Sequence, residues 1–198
     1  MAMQARFVET ARKAGATAPS STLSAVAAEL LARWSEPHRR YHNVTHLTAV
    51  LDEVEHEPVA ALAAWGHDAI YDPRSSVNEE RSALLTTGLL WRCGLPSATI
   101  QEISRLVLLT AGHASEEHDQ NGAVLADADL AILASPWPQY QSYVDAVRAE
   151  YAHVPDELWR IGRPAVLRNL LDLPTLYRLH PEREQPARAN IARELANF

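Results

Sequence analysis

The chain has 198 residues, enough for one domain with a sizeable buried core. Its formal net charge of −7 argues against duplex nucleic acid as a partner, because such binding requires basic side chains that neutralise phosphates. No apolar run approaches about 18 residues and the N-terminus lacks a hydrophobic signal core, so we expect a cytoplasmic protein with no membrane partner.

The composition favours helix along the whole chain, since alanine and leucine dominate, glycine is scarce and runs of β-branched residues are nearly absent. Apolar side chains recur at helical spacing between proline and glycine breaks. In chain order, the predicted helices cover about 3–14, 20–34, 45–56, 58–68, 78–91, 96–110, 123–133, 140–151, 155–171 and a last stretch from 181. We therefore predict an all-α fold, an orthogonal multi-helix bundle in one domain of residues 1–198.

An adjacent histidine and aspartate, His67 and Asp68, close the apolar run 59–66. A buried carboxylate at the end of such a run is unfavourable unless a cation or hydrogen-bond donors compensate its charge. Further candidate ligands lie upstream and downstream, at His42, His46, His113, Asp127 and Asp129. Imidazole nitrogen and carboxylate oxygen suit a divalent ion such as Mn, Mg, Fe, Zn, Ni or Co. If helices bring these residues together, the sequence predicts a metal site that could activate water against a phosphate.

Several short motifs follow one another from about residue 30 onward, at 40–46, 64–72, 78–83, 110–113, 127–133, 148–151, 162–163 and 184–190. In order, spacing and helical context they resemble the HD-domain superfamily of metal-dependent phosphohydrolases, and most closely its branch of predicted bacterial enzymes. The resemblance implies an HD-type fold with a motif core at about 40–135 and C-terminal helices at 138–198 packed on it. It also implies a divalent metal ion and hydrolysis of a small phosphorylated substrate, such as a nucleotide.

The resemblance also implies the metal ligands. His46 takes the first position because it opens an amphipathic helix, as the first histidine of the superfamily does, and His67 and Asp68 follow. The last ligand is Asp127 or Asp129. These two point to opposite sides of a helix, so we expect only one to bind, and the sequence leaves the choice open.

The resemblance implies an acid/base residue at Asp72, four positions beyond Asp68, because several superfamily members carry an acidic residue there. A loop-capping role for Asp72 is the alternative, since Pro73 follows it, and Glu79 could serve instead. Asp68 is expected to take part in catalysis as well as in metal binding.

The remaining candidates, together with Asn43 and Glu79, are expected to contact the substrate. His42 and His113 could bind substrate phosphate or a second metal ion, and the alternative for His42 is to order its loop together with Asn43. Arginines suit the clamping of phosphate oxygens, and the candidates for this role are Arg40, Arg81, Arg148 and Arg163.

Other prominent side chains are expected to be structural. The single Cys93 excludes an internal disulfide and a thiolate-rich metal site, and we expect a packed core thiol. The larger aromatic side chains are expected in the core rather than as base-stacking platforms: Trp65, Trp91, Tyr140, Tyr143 and Trp159.

Two other functions stay open. An HD-fold iron oxygenase would use extra histidines, such as His42 and His113, for a second iron. A non-catalytic HD module would bind a nucleotide or a partner helix. Such a module is expected to have lost the His67–Asp68 pair, which this chain retains. The sequence leaves the physiological substrate, the native metal and the number of subunits open, a homodimer included.

Overall fold

The computed structural model describes residues 3–54 and 56–198, and this part of the chain forms helices and no strand. The all-α prediction is thereby confirmed, while the HD-type orthogonal arrangement stays a prediction. The α-helices are α1 (Met3–Lys13), α2 (Ser20–Trp34), α3 (Val44–Glu53), α4 (Pro58–Gly66), α5 (Asn78–Arg92), α6 (Ser97–Leu109), α7 (Gln120–Asp129), α8 (Trp137–Glu150), α9 (Asp156–Asp172) and α10 (Glu184–Leu195). Within the described residues, no helix is both long and apolar enough to cross a membrane.

Several helix ends follow directly from local chemistry. The chain leaves α1 through Gly15, whose φ of 98° is a conformation that glycine adopts without a side-chain clash. At the start of α3, the Asn43 side chain accepts a hydrogen bond from the backbone N–H of Thr45 at 2.8 Å. Pro58 occupies the first turn of α4, where its missing N–H needs no partner.

The largest departures from the predicted bounds are at α3, α7, α8 and the start of α10, where Pro181–Arg183 form a 3-10 turn before the helix begins at Glu184. α3 ends at Glu53, short of the predicted end at 56, and Glu55 in that stretch lies outside the described residues. α7 begins earlier than predicted, because the Asp119 side chain accepts a hydrogen bond from the backbone N–H of Gly122 at 2.9 Å. It passes into a 3-10 turn at Leu130–Ala134, and α8 then begins at Trp137 rather than at 140.

α4 lies at the centre of the larger hydrophobic core, which is built from α1 to α7 and is called here the N-terminal core. All its residues from Ala60 to Gly66 are buried, and it packs against α1, α3, α5, α6 and α7. A helix that is apolar on every side is stable only in such an interior position. His67 and Asp68 follow α4 directly, so this burial carries the HD pair into the interior.

The second group of buried side chains belongs to the 3-10 turn, α8, α9, α10 and the segment before α10, and is called the C-terminal core. It contains a buried ion pair: the Glu194 carboxylate accepts hydrogen bonds from Arg163 Nε at 2.7 Å and from the Tyr140 hydroxyl at 2.6 Å. Charges this deeply buried are tolerated because each has its partner.

Two buried carboxylates connect the cores. Asp127 of α7 accepts hydrogen bonds from the backbone N–H groups of residues 178–180, which lead into α10. In the opposite direction, Glu150 at the end of α8 accepts hydrogen bonds from the backbone N–H groups of residues 40–42, just before α3. The two cores are therefore held together next to the residues that precede His46 and surround Asp129.

Candidate metal centre

Three helix ends deliver the candidate ligands to one place. His46 lies in the first turn of α3, His67 follows the last residue of α4, and Asp129 is the last residue of α7. α4 packs against both α3 and α7, so its C-terminal end lies beside the two other ligand positions. His46 and His67 are buried, and Asp129 is mostly buried.

The ligand atoms of these three residues are close together. Oδ1 of Asp129 lies 3.0 Å from Nε2 of His46 and 3.3 Å from Nε2 of His67, and the two Nε2 atoms are 3.3 Å apart. All three ligand atoms lie within 4.8 Å of one another, so the group could hold a metal ion. Asp68 borders this group, with its Oδ2 at 3.4 Å from Nε2 of His67.

Neighbouring groups orient the ligands. Nδ1 of His67 lies 2.9 Å from the carbonyl oxygen of Ala64, to which it donates, so Nε2 is the nitrogen that faces the other ligands and that a metal ion would bind in place of a proton. Nε2 of His113 lies 2.8 Å from Oδ2 of Asp129 and leaves Oδ1 for the two histidines. His113 adopts a φ of 54°, a left-handed conformation that is uncommon outside glycine, and this turns its ring towards Asp129.

The indole ring of Trp34 supports the same two histidines. Its centroid lies 5.2 Å from that of His67 and 6.2 Å from that of His46. The indole N–H donates to the carbonyl oxygen of Trp65 at 3.0 Å, which fixes the ring at the end of α4. The histidine side chains therefore pack against a rigid apolar wall.

The buried charges favour a cation at this place. Burial alone would lower the pKa of His67, but the charges of Asp129 and Asp68 outweigh it and raise that pKa to about 9. Burial dominates at His46 and lowers its pKa, although Asp129 acts in the opposite direction. Burial acts to raise the pKa of Asp129, and the charge of His67 with the hydrogen bonds from His113 and His46 holds it well below its ordinary value.

The two aspartates left open by the sequence have separate environments. Asp129 belongs to the ligand group, whereas both carboxylate oxygens of Asp127 accept backbone hydrogen bonds from Arg178, Leu179 and His180 at 2.8 to 3.0 Å. Asp127 therefore anchors the segment before α10 and points away from the histidines. The geometry selects Asp129 as the ligand candidate.

A cavity of about 700 Å³ opens beside the ligand group. Its polar lining residues include His42, His67, Asp68, Glu79, His113 and Asp129. Arg40, Asn43 and His46 line a different recess of about 490 Å³, which also reaches Asp129. Of the expected substrate contacts, Arg40 and Asn43 thus lie away from the larger cavity, and the side chain of Asn43 caps α3.

His42 is held in the cavity wall by Glu150, which lies in the 148–151 motif but was not among the candidate site residues. Nδ1 of His42 lies 2.7 Å from Oε2 of Glu150, and the same oxygen accepts a hydrogen bond from the Tyr71 hydroxyl at 2.9 Å. The ring of His42 stacks on Tyr71 at 4.3 Å. Burial acts to lower the pKa of His42, but the charges of Asp68 and Glu150 and the hydrogen bond to Glu150 raise it above its ordinary value.

The expected acid/base role of Asp72 is not supported by its position. Its Oδ1 accepts a hydrogen bond from the backbone N–H of Arg74 at 2.9 Å, and its side chain is exposed in a turn. Among the residues that line the larger cavity, Asp68 and Glu79 are the acidic ones besides Asp129. The alternative, a loop-capping role, describes Asp72 in the structure.

Three of the arginines expected to clamp phosphate have other partners or positions. Arg148 donates to the carbonyl oxygens of Tyr151 and Val154 and to Asp156, and so holds the connection between α8 and α9. Arg81 is exposed on α5, outside the cavity lining. Arg163 does line the cavity, although its guanidinium donates to Glu194 and to the Tyr143 hydroxyl.

The aromatic residues and Cys93 divide between core and cavity. Trp65, Tyr140 and Cys93 are fully buried, as expected. Trp91 is 56% exposed on α5, so its assignment to the core is wrong; the apolar period of that helix places Leu89 and Leu90 inside instead. Two of the aromatics expected in the core line the cavity: Tyr143 and Trp159.

Arg39 is a second buried charge that sequence reasoning missed. Its guanidinium donates to the carbonyl oxygens of His42, Asp68 and Ala69, and to Glu36. It thereby joins the loop before α3 to the turn that carries the HD pair. No local pattern distinguishes Arg39 from the neighbouring Arg40, which is exposed.

Comparison of the chain with protein-family models, with curated proteins and with solved structures found no match in any of the three. The resemblance to the HD-domain superfamily therefore rests on the motifs alone. What the chain can do is argued below from its own residues.

Proposed function

We propose that the protein is a metal-dependent phosphohydrolase that cleaves a phosphate ester. The observation that carries the proposal is the convergence of His46, His67 and Asp129 at three helix ends, with Asp68 alongside and a cavity open to the group. Nitrogen and oxygen donors of this kind suit divalent ions of the first transition series. When bound, such an ion supplies Lewis-acid polarisation of a phosphoryl oxygen and lowers the pKa of bound water.

The chain itself supplies the orientation of the ligands. Ala64 fixes the tautomer of His67, and His113 fixes the Asp129 carboxylate. Groups that orient a ligand in this way usually strengthen metal binding by roughly 10- to 100-fold. Two imidazoles and two carboxylates leave a divalent site near neutral, so an anionic phosphate is not repelled.

Other side chains of the cavity would bind the phosphate and transfer the proton. His42, held by Glu150 through Nδ1, presents its other nitrogen as a group for a phosphate oxygen. Because Asp72 faces the surface, we assign proton transfer to Glu79, with Asp68 as the neighbouring carboxylate.

Replacing Asp68 tests the proposal. We expect Asp68→Ala to lose bound metal and phosphate release together, because its carboxylate borders His67 and balances the charge of the ion. The matched control is Asp72→Ala, an exposed aspartate four positions onward, which should keep both. Metal content by mass spectrometry and phosphate release with Mn²⁺ would be measured for each. An Asp68→Ala protein with full activity would refute the proposal.

The same preparation separates the alternatives. A rise in Tm with a nucleotide but no phosphate release from any ester would indicate a non-catalytic binding module. Absorption or Mössbauer signals of a coupled di-iron centre after anaerobic iron loading would indicate an oxygenase.

A further inference from the structure

The lining of the cavity beside the candidate metal centre contains two chemically different groups of residues. His67, Asp68 and Asp129 are polar. The residues that α8 and α9 contribute are mostly apolar, with Arg163 and Asn169 as the charged and the amide side chain among them. The apolar and aromatic residues, called here the α8–α9 wall, are Tyr143, Val147, Leu158, Trp159, Val166 and Leu170.

The charges in the cavity restrict where an anion can bind. Among the described residues that line it, Arg163 is the only lysine or arginine, and its guanidinium is paired with Glu194 at 2.7 Å. Three acidic side chains, Asp68, Glu79 and Asp129, also line it. A phosphate is therefore favourable where a metal ion offsets these carboxylates and where His42 can contact it. The α8–α9 wall itself carries no charged side chain that could bind a second anionic group.

The α8–α9 wall exposes apolar surface that a ligand could cover. Leu158 is 59% and Val166 is 51% exposed, and removal of such apolar surface from water is favourable. The Trp159 ring is held in place by the Arg148 guanidinium, which lies 5.0 Å from its centroid. A volume of about 700 Å³ accommodates a phosphate ester with a ring system.

We propose that the substrate is a phosphomonoester of an uncharged, apolar alcohol, whose apolar group lies on the α8–α9 wall while its phosphate faces His67, Asp68 and Asp129. The inference rests on the proposed function and narrows it to one substrate class. A second phosphate, or a sugar with many hydroxyl groups, would meet apolar side chains where it needs polar partners.

Steady-state kinetics of the full chain with Mn²⁺ test the preference. The esters to compare are 1-naphthyl phosphate, ribose 5-phosphate and thymidine 5′-monophosphate. We expect 1-naphthyl phosphate to have the highest kcat/KM, by about tenfold or more, which is the discrimination that a few apolar contacts supply.

Substitutions on α9 locate the apolar group. A Cβ added at Gly162 meets no atom within 4 Å, so Gly162→Leu should fold and fill the cavity beside Trp159. We expect Gly162→Leu and Val166→Asp to raise the KM for 1-naphthyl phosphate about tenfold and to leave ribose 5-phosphate nearly unchanged. Ile161→Asp is the matched control, since Ile161 is 70% exposed on the same helix and lies outside the cavity lining.

Binding of 1-naphthol to the protein in EDTA is independent of hydrolysis. The apolar site is supported if 1-naphthol binds and if Gly162→Leu and Val166→Asp weaken this binding while Ile161→Asp leaves it unchanged. If ribose 5-phosphate or thymidine 5′-monophosphate is cleaved at least as well and 1-naphthol does not bind, the substrate class is overturned and the hydrolase stands. If 1-naphthol binds but no ester is cleaved, the proposed hydrolysis is overturned, and with it the substrate class.

Discussion

Asp127 and Asp129 lie two positions apart on α7 and have different partners. Asp129 Oδ1 lies between the Nε2 atoms of His46 and His67, whereas Asp127 accepts three backbone hydrogen bonds. The short sequence Asp-Ala-Asp thus combines a ligand candidate with an anchor for the segment before α10.

Neutralising each aspartate should therefore have different consequences for metal binding. We expect Asp129→Asn to abolish metal binding and also to lower stability, because the carboxylate pairs with His67 and accepts hydrogen bonds from the histidines in the metal-free protein. We expect Asp127→Asn to keep metal binding and to lower the free energy of unfolding by about 2 kcal/mol, the usual size for hydrogen bonds to a charged acceptor.

Isothermal titration with Mn²⁺ and urea unfolding measure the two effects on the same samples. Each variant is the control for the other, since both remove one negative charge from α7. Loss of metal binding in Asp127→Asn without loss of stability would contradict the assignment.

The sequence could identify the ligand residue types but not their partners. Helical spacing shows that Asp127 and Asp129 face different sides of α7, yet which side meets the histidines depends on how α7 packs. Glu150 and Arg39 were missed for a related reason. The partners of Glu150 lie 108 to 110 residues away at positions 40–42, so no local pattern reveals that its charge is buried.

α4 and α5 approach closely where α4 ends. A Cβ added at Gly66 would lie 2.5 Å from Oγ1 and 2.7 Å from Cγ2 of Thr86, a distance at which one of the helices must shift. Because His67 follows Gly66, the absence of a side chain at this position helps to place the ligand.

We expect Gly66→Ala to lower the free energy of unfolding by about 1–3 kcal/mol, the usual range for overpacking of a core. The displaced end of α4 should also weaken metal binding at His67. Urea unfolding and Mn²⁺ titration would measure both quantities.

Gly88→Ala on α5 is the control, since a Cβ there meets no atom within 4 Å. It should stabilise the protein by about 0.5–1 kcal/mol through helix propensity. Adding Thr86→Ala to Gly66→Ala should restore both stability and metal binding. A double variant as impaired as Gly66→Ala alone would show that the contact with Thr86 is not the cause.

The helices themselves were largely predictable. Apolar spacing, the proline at the start of α4 and the glycine after α1 are local signals, and the corresponding elements lie where they predict. The bounds of α7 and α8 were not predictable in this way. Capping by Asp119 and the 3-10 turn at Leu130–Ala134 depend on geometry that the apolar pattern does not encode.

The molecule as a whole contains two cores joined by buried carboxylates, of which Glu150 carries a pH-dependent contribution. Burial acts to raise its pKa, but the hydrogen bond and charge of His42 and the backbone N–H groups of Arg40 and His42 lower it from 4.5 to about 2. The Tyr71 hydroxyl also donates a hydrogen bond to Glu150, at 2.9 Å. Since the folded pKa lies below the unfolded one, the stabilisation is complete above about pH 4.5 and is lost as the pH falls towards 2.

We expect Glu150→Gln to lower the free energy of unfolding by about 2 kcal/mol at neutral pH, and the difference from the native chain to shrink between pH 4.5 and 2. Urea unfolding of both proteins at a series of pH values measures this difference in the free energy of unfolding. Glu157→Gln, an exposed glutamate on α9, is the matched control and should show no such trend. A difference that stays constant down to pH 2 would contradict the role of the charge.

The predicted division into a motif core at 40–135 and helices at 138–198 stays a prediction about domains. The apolar clusters divide near Leu130, and α1 and α2 contribute to the first of them. The sequence did not indicate that contribution, because side chains such as Phe7 and Trp34 reach α4 only through the packing of distant helices.

Trp34 packs against both candidate ligand histidines, so its fluorescence should report whether a metal ion is bound at the centre. Its ring centroid is 5.2 Å from that of His67, close enough for a paramagnetic ion to quench indole emission. Titration with Mn²⁺ should therefore reduce the fluorescence of the native chain in proportion to the ion bound, and a Trp34→Phe protein should lose the part of that change that comes from Trp34. The chain thus carries its own optical probe, and no dye or label is needed.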